Sequence, residues 1–213
     1  MPDIEHPALD AVAWVTKSYF DLQPEERLLL IAESFYDREK SLVNAKNPSS
    51  LLIRTILEGT RKGHWKAYFT RLRRWVANYP TQPIDEKQAI KTFWNTVVFY
   101  HYVQTPVGDS PRQRPDPEQW SSGVPLFKMV VNESAPSRVI FIGKELWQHA
   151  RDSGLVSEKS DLQGSVNNAS PSLPAMATHH PSAFATKREW AKEIRAFLGA
   201  DFTNTFSIKD ERQ

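Results

Sequence analysis

Two short stretches carry side chains able to do acid–base chemistry. Glu33 follows Leu28 to Ala32, LLLIA, a continuous apolar run that reads as a buried strand. A carboxylate at the exit of such a strand is partly desolvated and faces a crevice, where it can orient and polarise a water molecule. It can equally serve as the first-turn acid of a following helix. The second stretch is His179-His180-Pro181-Ser182. Proline restrains His180 to an extended conformation. An imidazole held that way can donate to a developing anion or move a proton; an incidental histidine in a turn is the plainer reading. Two histidines also raise a metal site, but no third ligand stands at a suitable spacing. No metal and no cofactor are therefore expected.

The elements that must position these residues alternate along the chain. Apolar spacing predicts a helix over 8–20, then the strand 28–32. Ser49 or Ser50 is a candidate cap for a helix ending near Gly59. A second helix is predicted over 64–78, and FWNTVVFYHYV, residues 93–103, reads as a strand. A loop dense in Pro and Arg covers 105–117, and a helix 118–133. RVIFIG, Arg138 to Gly143, is a third strand, with a helix from Lys144 to Arg151. Residues 156–174 read as a long polar loop, and 175–178 as a weak fourth strand. Thr186-Lys-Arg-Glu189 fits a capping box that opens a last helix reaching Leu198. The alternation implies an α/β fold: a three-layer sandwich with a central, mostly parallel four-stranded sheet flanked by helices. In such sheets function collects beyond the carboxyl ends of the strands, here at 32–37, 103–117, 143–147 and 179–185.

Composition narrows the class. The 213 residues, 40% hydrophobic, suit one domain with a real core. The absence of cysteine excludes disulfides, a cysteine nucleophile, thiolate zinc sites and any iron–sulfur cluster held by this chain. The acidic start MPDIEHPALD lacks the order of a signal peptide, and no apolar run is long enough for a bilayer. A cytoplasmic protein without a membrane partner is expected. The net charge of +2 does not by itself indicate a nucleic-acid binder. Residues 60–81, however, contain no acid and gather Arg61, Lys62, Lys66, Arg71, Arg73 and Arg74 around His64, Trp65, Tyr68 and Trp75. Basic groups beside flat rings suit a phosphate backbone with stacked bases. A solvated helix face over a few buried aromatics explains the stretch as simply, and is the preferred reading.

Taken together, four pieces in order resemble the uracil-DNA glycosylase superfamily, over about residues 27–198. LLLIAESFY resembles the strand and loop that carry the water-activating acid. FWNTVVFY followed by RQRPDPEQW is similar to the asparagine strand and Arg/Pro/Glu stretch of the bacterial iron–sulfur branch. RVIFIGKELWQHA resembles the strand-Gly-Lys-helix segment that follows, and HHPSAF the His-Pro-Ser motif near the carboxyl end. The resemblance implies that Glu33 places the hydrolytic water, His180 stabilises the departing base, and Asn95 reads the edge of an extruded base. Phe35, Tyr36 or Phe99 would supply a stacking wall. Ser182, Lys144, Lys187, Arg188, Arg112 and Arg114 would contact DNA, with Phe184 as a wedge or as core packing.

The implied activity is that of a monofunctional DNA glycosylase, acting as a monomer on uracil or a modified pyrimidine, in repair or in defence against phage. A non-catalytic binder of nucleic acid or modified bases, and a hydrolase of free nucleosides, remain open beside it. The departures are as informative. Ala32, Ser34, Phe35 and Tyr36 stand where the family has glycines and a proline around its acid. The asparagine strand runs on as TVVFYHYV, whose His101 and Tyr102 are read either as neighbours of the site or as a surface histidine and a packed tyrosine, and the cluster-binding cysteines are missing.

Overall fold

The computed structural model describes residues 7–37, 42, 45–60, 63–77, 85–110, 113–169, 172–181, 187–199, 202 and 205–206, without the side chains of 63–65 and 187–188. The elements are α1 (Pro7–Asp10), β1 (Ala13–Trp14), α2 (Lys17–Phe20), β2 (Leu28–Ala32), α3 (Pro48–Leu57), α4 (Gly63–Val76), α5 (Glu86–Asn95) and β3 (Val97–His101). They continue with α6 (Pro117–Ser134), β4 (Arg138–Ile142), α7 (Lys144–Asp152), β5 (Val156–Ser160), β6 (Gln163–Val166), β7 (Leu173–Thr178) and α8 (Lys187–Leu198).

The fold is α/β, but the sheet has seven strands rather than four, in the order β1-β3-β2-β4-β7-β6-β5. The four central strands β3, β2, β4 and β7 are mutually parallel. Antiparallel β1 extends one edge, and the antiparallel hairpin β5–β6 extends the other. Strand alternation divides the core into two layers. Leu28, Leu30, Phe99, Ile140, Ile142 and Met176 pack with α3, α4, α5 and α8. Leu29, Ile31, Val98, Tyr100, Val139 and Phe141 pack with α1, α2, α6 and α7. Each fully buried side chain of this size contributes roughly 1.5–3 kcal/mol.

Helices α3 to α5, which link β2 to β3, thus lie on one face, and α6, which links β3 to β4, lies on the other. The chain steps from β2 to one neighbour and then returns past it to the opposite neighbour. The carboxyl ends of β2 and β4 therefore form a topological switch point, where departing loops leave a crevice.

Three predicted elements change. Residues 8–20 are not one helix but α1, β1 and α2. Ala13 and Trp14 pair with Tyr100 and Phe99 of β3, and the Trp14 indole N–H donates to the Trp94 carbonyl at 2.6 Å. Residues 93–95 end helix α5, capped by Asp85, rather than starting a strand. The polar loop over 156–174 contains β5 and β6; four of the five β5 residues are exposed. Asn47, not Ser49 or Ser50, caps α3, its side chain accepting from the Ser50 N–H. The Thr186 cap lies outside the described residues.

A tight contact tests this packing. Gly123, inside α6, lies against the buried Tyr102 ring, and a Cβ there would come within 2.2 Å of a ring carbon. Gly123→Ala is expected to destabilise the fold by about 1–3 kcal/mol, read from urea unfolding. A wild-type midpoint would contradict the close approach of α6 to Tyr102.

Candidate active site at the carboxyl edge of the sheet

The four parallel strands end in register: Ala32 lies opposite His101 and Ile142, and Ile142 opposite Thr178. The next residues, Glu33, Tyr102, Gly143 and His179, leave the sheet along one line. Residues 33–37 are not helical. Instead they run beside 102–108: the Tyr102 N–H donates to the Ala32 carbonyl, Val103 to Glu33, Val107 to Phe35, and Asp37 to Gly108. The carboxylate is therefore not a first-turn helix acid. At the end of β4, Gly143 takes φ +123°, which a side chain rarely adopts, and turns the chain into α7.

One cation joins three of the four exits. Arg114 Nη1 lies 3.0 Å from Glu33 Oε1 and 2.6 Å from Glu145 Oε2, and the Ser34 hydroxyl donates to Glu33 Oε1 at 3.5 Å. The Glu33 side chain is 11% exposed, Arg114 59% and Glu145 56%. Burial raises the Glu33 pKa above the ordinary carboxylate value. The Arg114 charge and hydrogen bond oppose that rise, while Glu145 adds to it.

His180 is held from α4. Its ring lies 5.1 Å from that of Tyr68, and Arg71 Nη1 donates to the Pro181 carbonyl at 2.9 Å. His180 is exposed, yet desolvation by its neighbours, and then the Arg114 charge, lower its pKa to about 4. It is neutral at pH 7. The Tyr68 hydroxyl stays protonated because burial, and then the Glu33 charge, raise its pKa. Two strand spacings, about 10 Å, separate the end of β2 from that of β7.

Beneath the mouth sits a second histidine. His101 is buried, its Nδ1 is 2.9 Å from Ser49 Oγ, and the edges of Phe35 and Phe99 pack on its ring. Burial lowers its pKa to about 3. Phe35 and Phe99 are thus floor rather than wall, since both are buried. Tyr36 is half-buried in the 33–37 loop.

Asn95 is not brought to this edge. It ends α5, two residues before β3 begins opposite Leu28, and its carbonyl accepts from the Thr16 hydroxyl at 2.7 Å. A five-residue strand, about 16 Å, separates that end of the sheet from Glu33. Lys144 is exposed in the first turn of α7, and its charge acts on His179, whose ring lies 4.1 Å from Trp190. Arg112, Ser182 and Phe184 lie outside the described residues, as do the side chains of Lys187 and Arg188. The basic stretch of α4 is divided: Arg73 is buried and paired with Glu86, Arg71 holds the His-Pro segment, and Lys66 and Arg74 are exposed.

Sequence reasoning missed Tyr68, Arg71 and Glu145 as site residues because they sit on helices rather than strand exits. The three-residue spacing of Tyr68 and Arg71, which places both on one helix face, was the available signal. No group of three or more His, Cys, Asp or Glu side chains arranged for a metal occurs among the described residues. No described helix is long and apolar enough to cross a membrane. No protein-family model and no curated protein matches the sequence.

The buried histidine makes stability depend on pH. His101 titrates near 3 when folded and near 6.5 when unfolded. The unfolded chain binds the extra proton between those values, so the stabilisation is complete above pH 6.5 and is lost as pH falls toward 3. Urea midpoints of wild type should drop between pH 7 and pH 5, and those of His101→Gln should drop less. An identical pH dependence in the two proteins would contradict a buried, neutral His101.

Proposed function

We propose that the chain is a monofunctional DNA glycosylase of the uracil-DNA glycosylase kind. It would hydrolyse the N-glycosidic bond of a flipped-out uracil or modified pyrimidine and leave an abasic site. The observation that carries this reading is the meeting of Glu33 and His180 at one mouth. Arg114 contacts Glu33 and its charge acts on His180, and the Glu33 charge acts on Tyr68, which packs on His180.

Bond cleavage builds positive charge on the sugar and negative charge on the base. Glu33, across the crevice from His180, stabilises the sugar and orients water toward its anomeric carbon. Neutral His180 donates its N–H to the base as negative charge develops there. The protonated Tyr68 ring closes one side. The target must leave the helical stack, which costs a few kcal/mol and selects bases that unstack readily. Glu33 supplies a water-activating acid, which favours a water nucleophile, with Lys144 at the neighbouring β4 exit as the amine alternative. Asn95, at the other end of the sheet, does not read the base edge at this site.

Mass spectrometry of bases released from DNA tests this directly. The panel carries uracil, cytosine, hydroxymethylcytosine and glucosylated hydroxymethylcytosine. One of these should be released. Glu33→Gln and His180→Ala should each lower the rate at least about 10²-fold with DNA binding kept. The rate should also fall on the acid side at a pH above the ordinary carboxylate value, because burial raises the Glu33 pKa. Release of no base from any of these DNAs would overturn the reading in favour of a binder. Activity unchanged in both variants would overturn the mechanism.

A further inference from the structure

Resting on the glycosylase reading, we propose that Arg114 is a specificity residue. It caps Glu33 until a phosphate of the substrate strand draws it away, so that hydrolysis is tied to a nucleotide within a phosphodiester chain.

A single nitrogen, Nη1, spans Glu33 and Glu145, and among the described residues the guanidinium makes no other hydrogen bond. Its side chain is 59% exposed, on the loop between β3 and α6. Guanidinium donors match phosphate oxygens in a fork. Two carboxylates and one guanidinium leave this cluster with net negative charge. A phosphodiester that approaches while the three remain joined meets repulsion from Glu33 and Glu145. Turning Arg114 outward sets a cation between the phosphate and the two carboxylates, and it leaves the Glu33 carboxylate, 11% exposed, with the Ser34 hydroxyl as its partner.

The exchange has two consequences at Glu33. Its Oε1, occupied by Arg114, becomes open to the hydrolytic water. Its carboxylate also loses a nearby positive charge and becomes a stronger base. The groups that face Glu33 are then Glu145, the Ser34 hydroxyl and Tyr68. Departure of Arg114 also removes one cause of the lowered proton affinity of His180. A free nucleoside carries no phosphate, leaves Arg114 on Glu33, and is a poor substrate for that reason.

The test compares wild type with Arg114→Gln on an oligonucleotide holding the target base and on the matching free nucleoside, over a range of pH. In wild type the oligonucleotide should be strongly preferred. The acid limb of kcat, which reports the complex, should lie above that of kcat/KM, which reports the free protein. Arg114→Gln should narrow the preference at least about tenfold, by weaker oligonucleotide binding and faster nucleoside cleavage. It should also bring the two acid limbs closer together, since no cap remains to be withdrawn. Arg114→Lys, which keeps the charge without the fork, should recover part of both effects. An Arg114→Gln protein with the wild-type preference and the wild-type separation of limbs would overturn the exchange while leaving the glycosylase reading intact. Equal loss on both substrates would overturn it too, by making Arg114 a simple partner of Glu33. Wild type that releases base from neither substrate would sink the glycosylase reading itself, and this proposal with it.

Discussion

Four parallel strands ending flush is the constraint on which the rest of the structure depends. The register Ala32–His101, Ala32–Ile142 and Ile142–Thr178 puts four chain exits on one line. A slip of one residue in any of these strands would turn its apolar set over. It would also move its exit residue off that line. The two apolar layers hold the register by burying alternate residues of the same strands on opposite faces. The site therefore takes its geometry from the core. Glu33 and His180, nearly 150 positions apart in sequence, leave the same edge of the sheet because β2 and β7 each pair with β4.

The edge so formed must hold charge above an apolar sheet. Glu33 is mostly buried, and burial alone would favour its protonated form. Arg114 offsets that, and Glu145 on α7 steadies Arg114 from the far side. The arrangement gives electrostatic order: after burial, one cation acts on the proton affinities of both the acid and His180. Below it, the Ser49–His101 contact and the Phe35 ring fill the space under the mouth with a neutral, packed layer.

How much of this was legible in the sequence follows from burial. β2, β4, α6, α7 and α8 were read closely, because each has a continuous apolar run or a clean helical period bounded by Pro, Gly or an acid. β5 and β6 were not. VSEKS has one buried residue and faces water along the rest, so its composition is that of a loop. The 8–20 segment failed for another reason. Leu9, Ala13 and Val15 are buried together as in a helix, yet the Trp14 side chain enters the opposite layer, which only a strand permits. Residues 93–95 misled through their aromatic content, while the Asp85 cap that starts α5 lay ten residues upstream of Asn95. The candidate acid and base were legible as strand exits. Their partners Tyr68, Arg71 and Glu145 were not, because helix-borne contacts depend on how layers stack.

A structure of the protein with an oligonucleotide that carries an uncleavable analogue of the released nucleotide tests the account most directly. The account predicts the extruded sugar beside Glu33, its base beside His180 and Tyr68, and the adjoining phosphates along the carboxyl edge of β2, β4 and β7. DNA bound on another face of the sheet, or a target nucleotide still stacked within the strand, would contradict it.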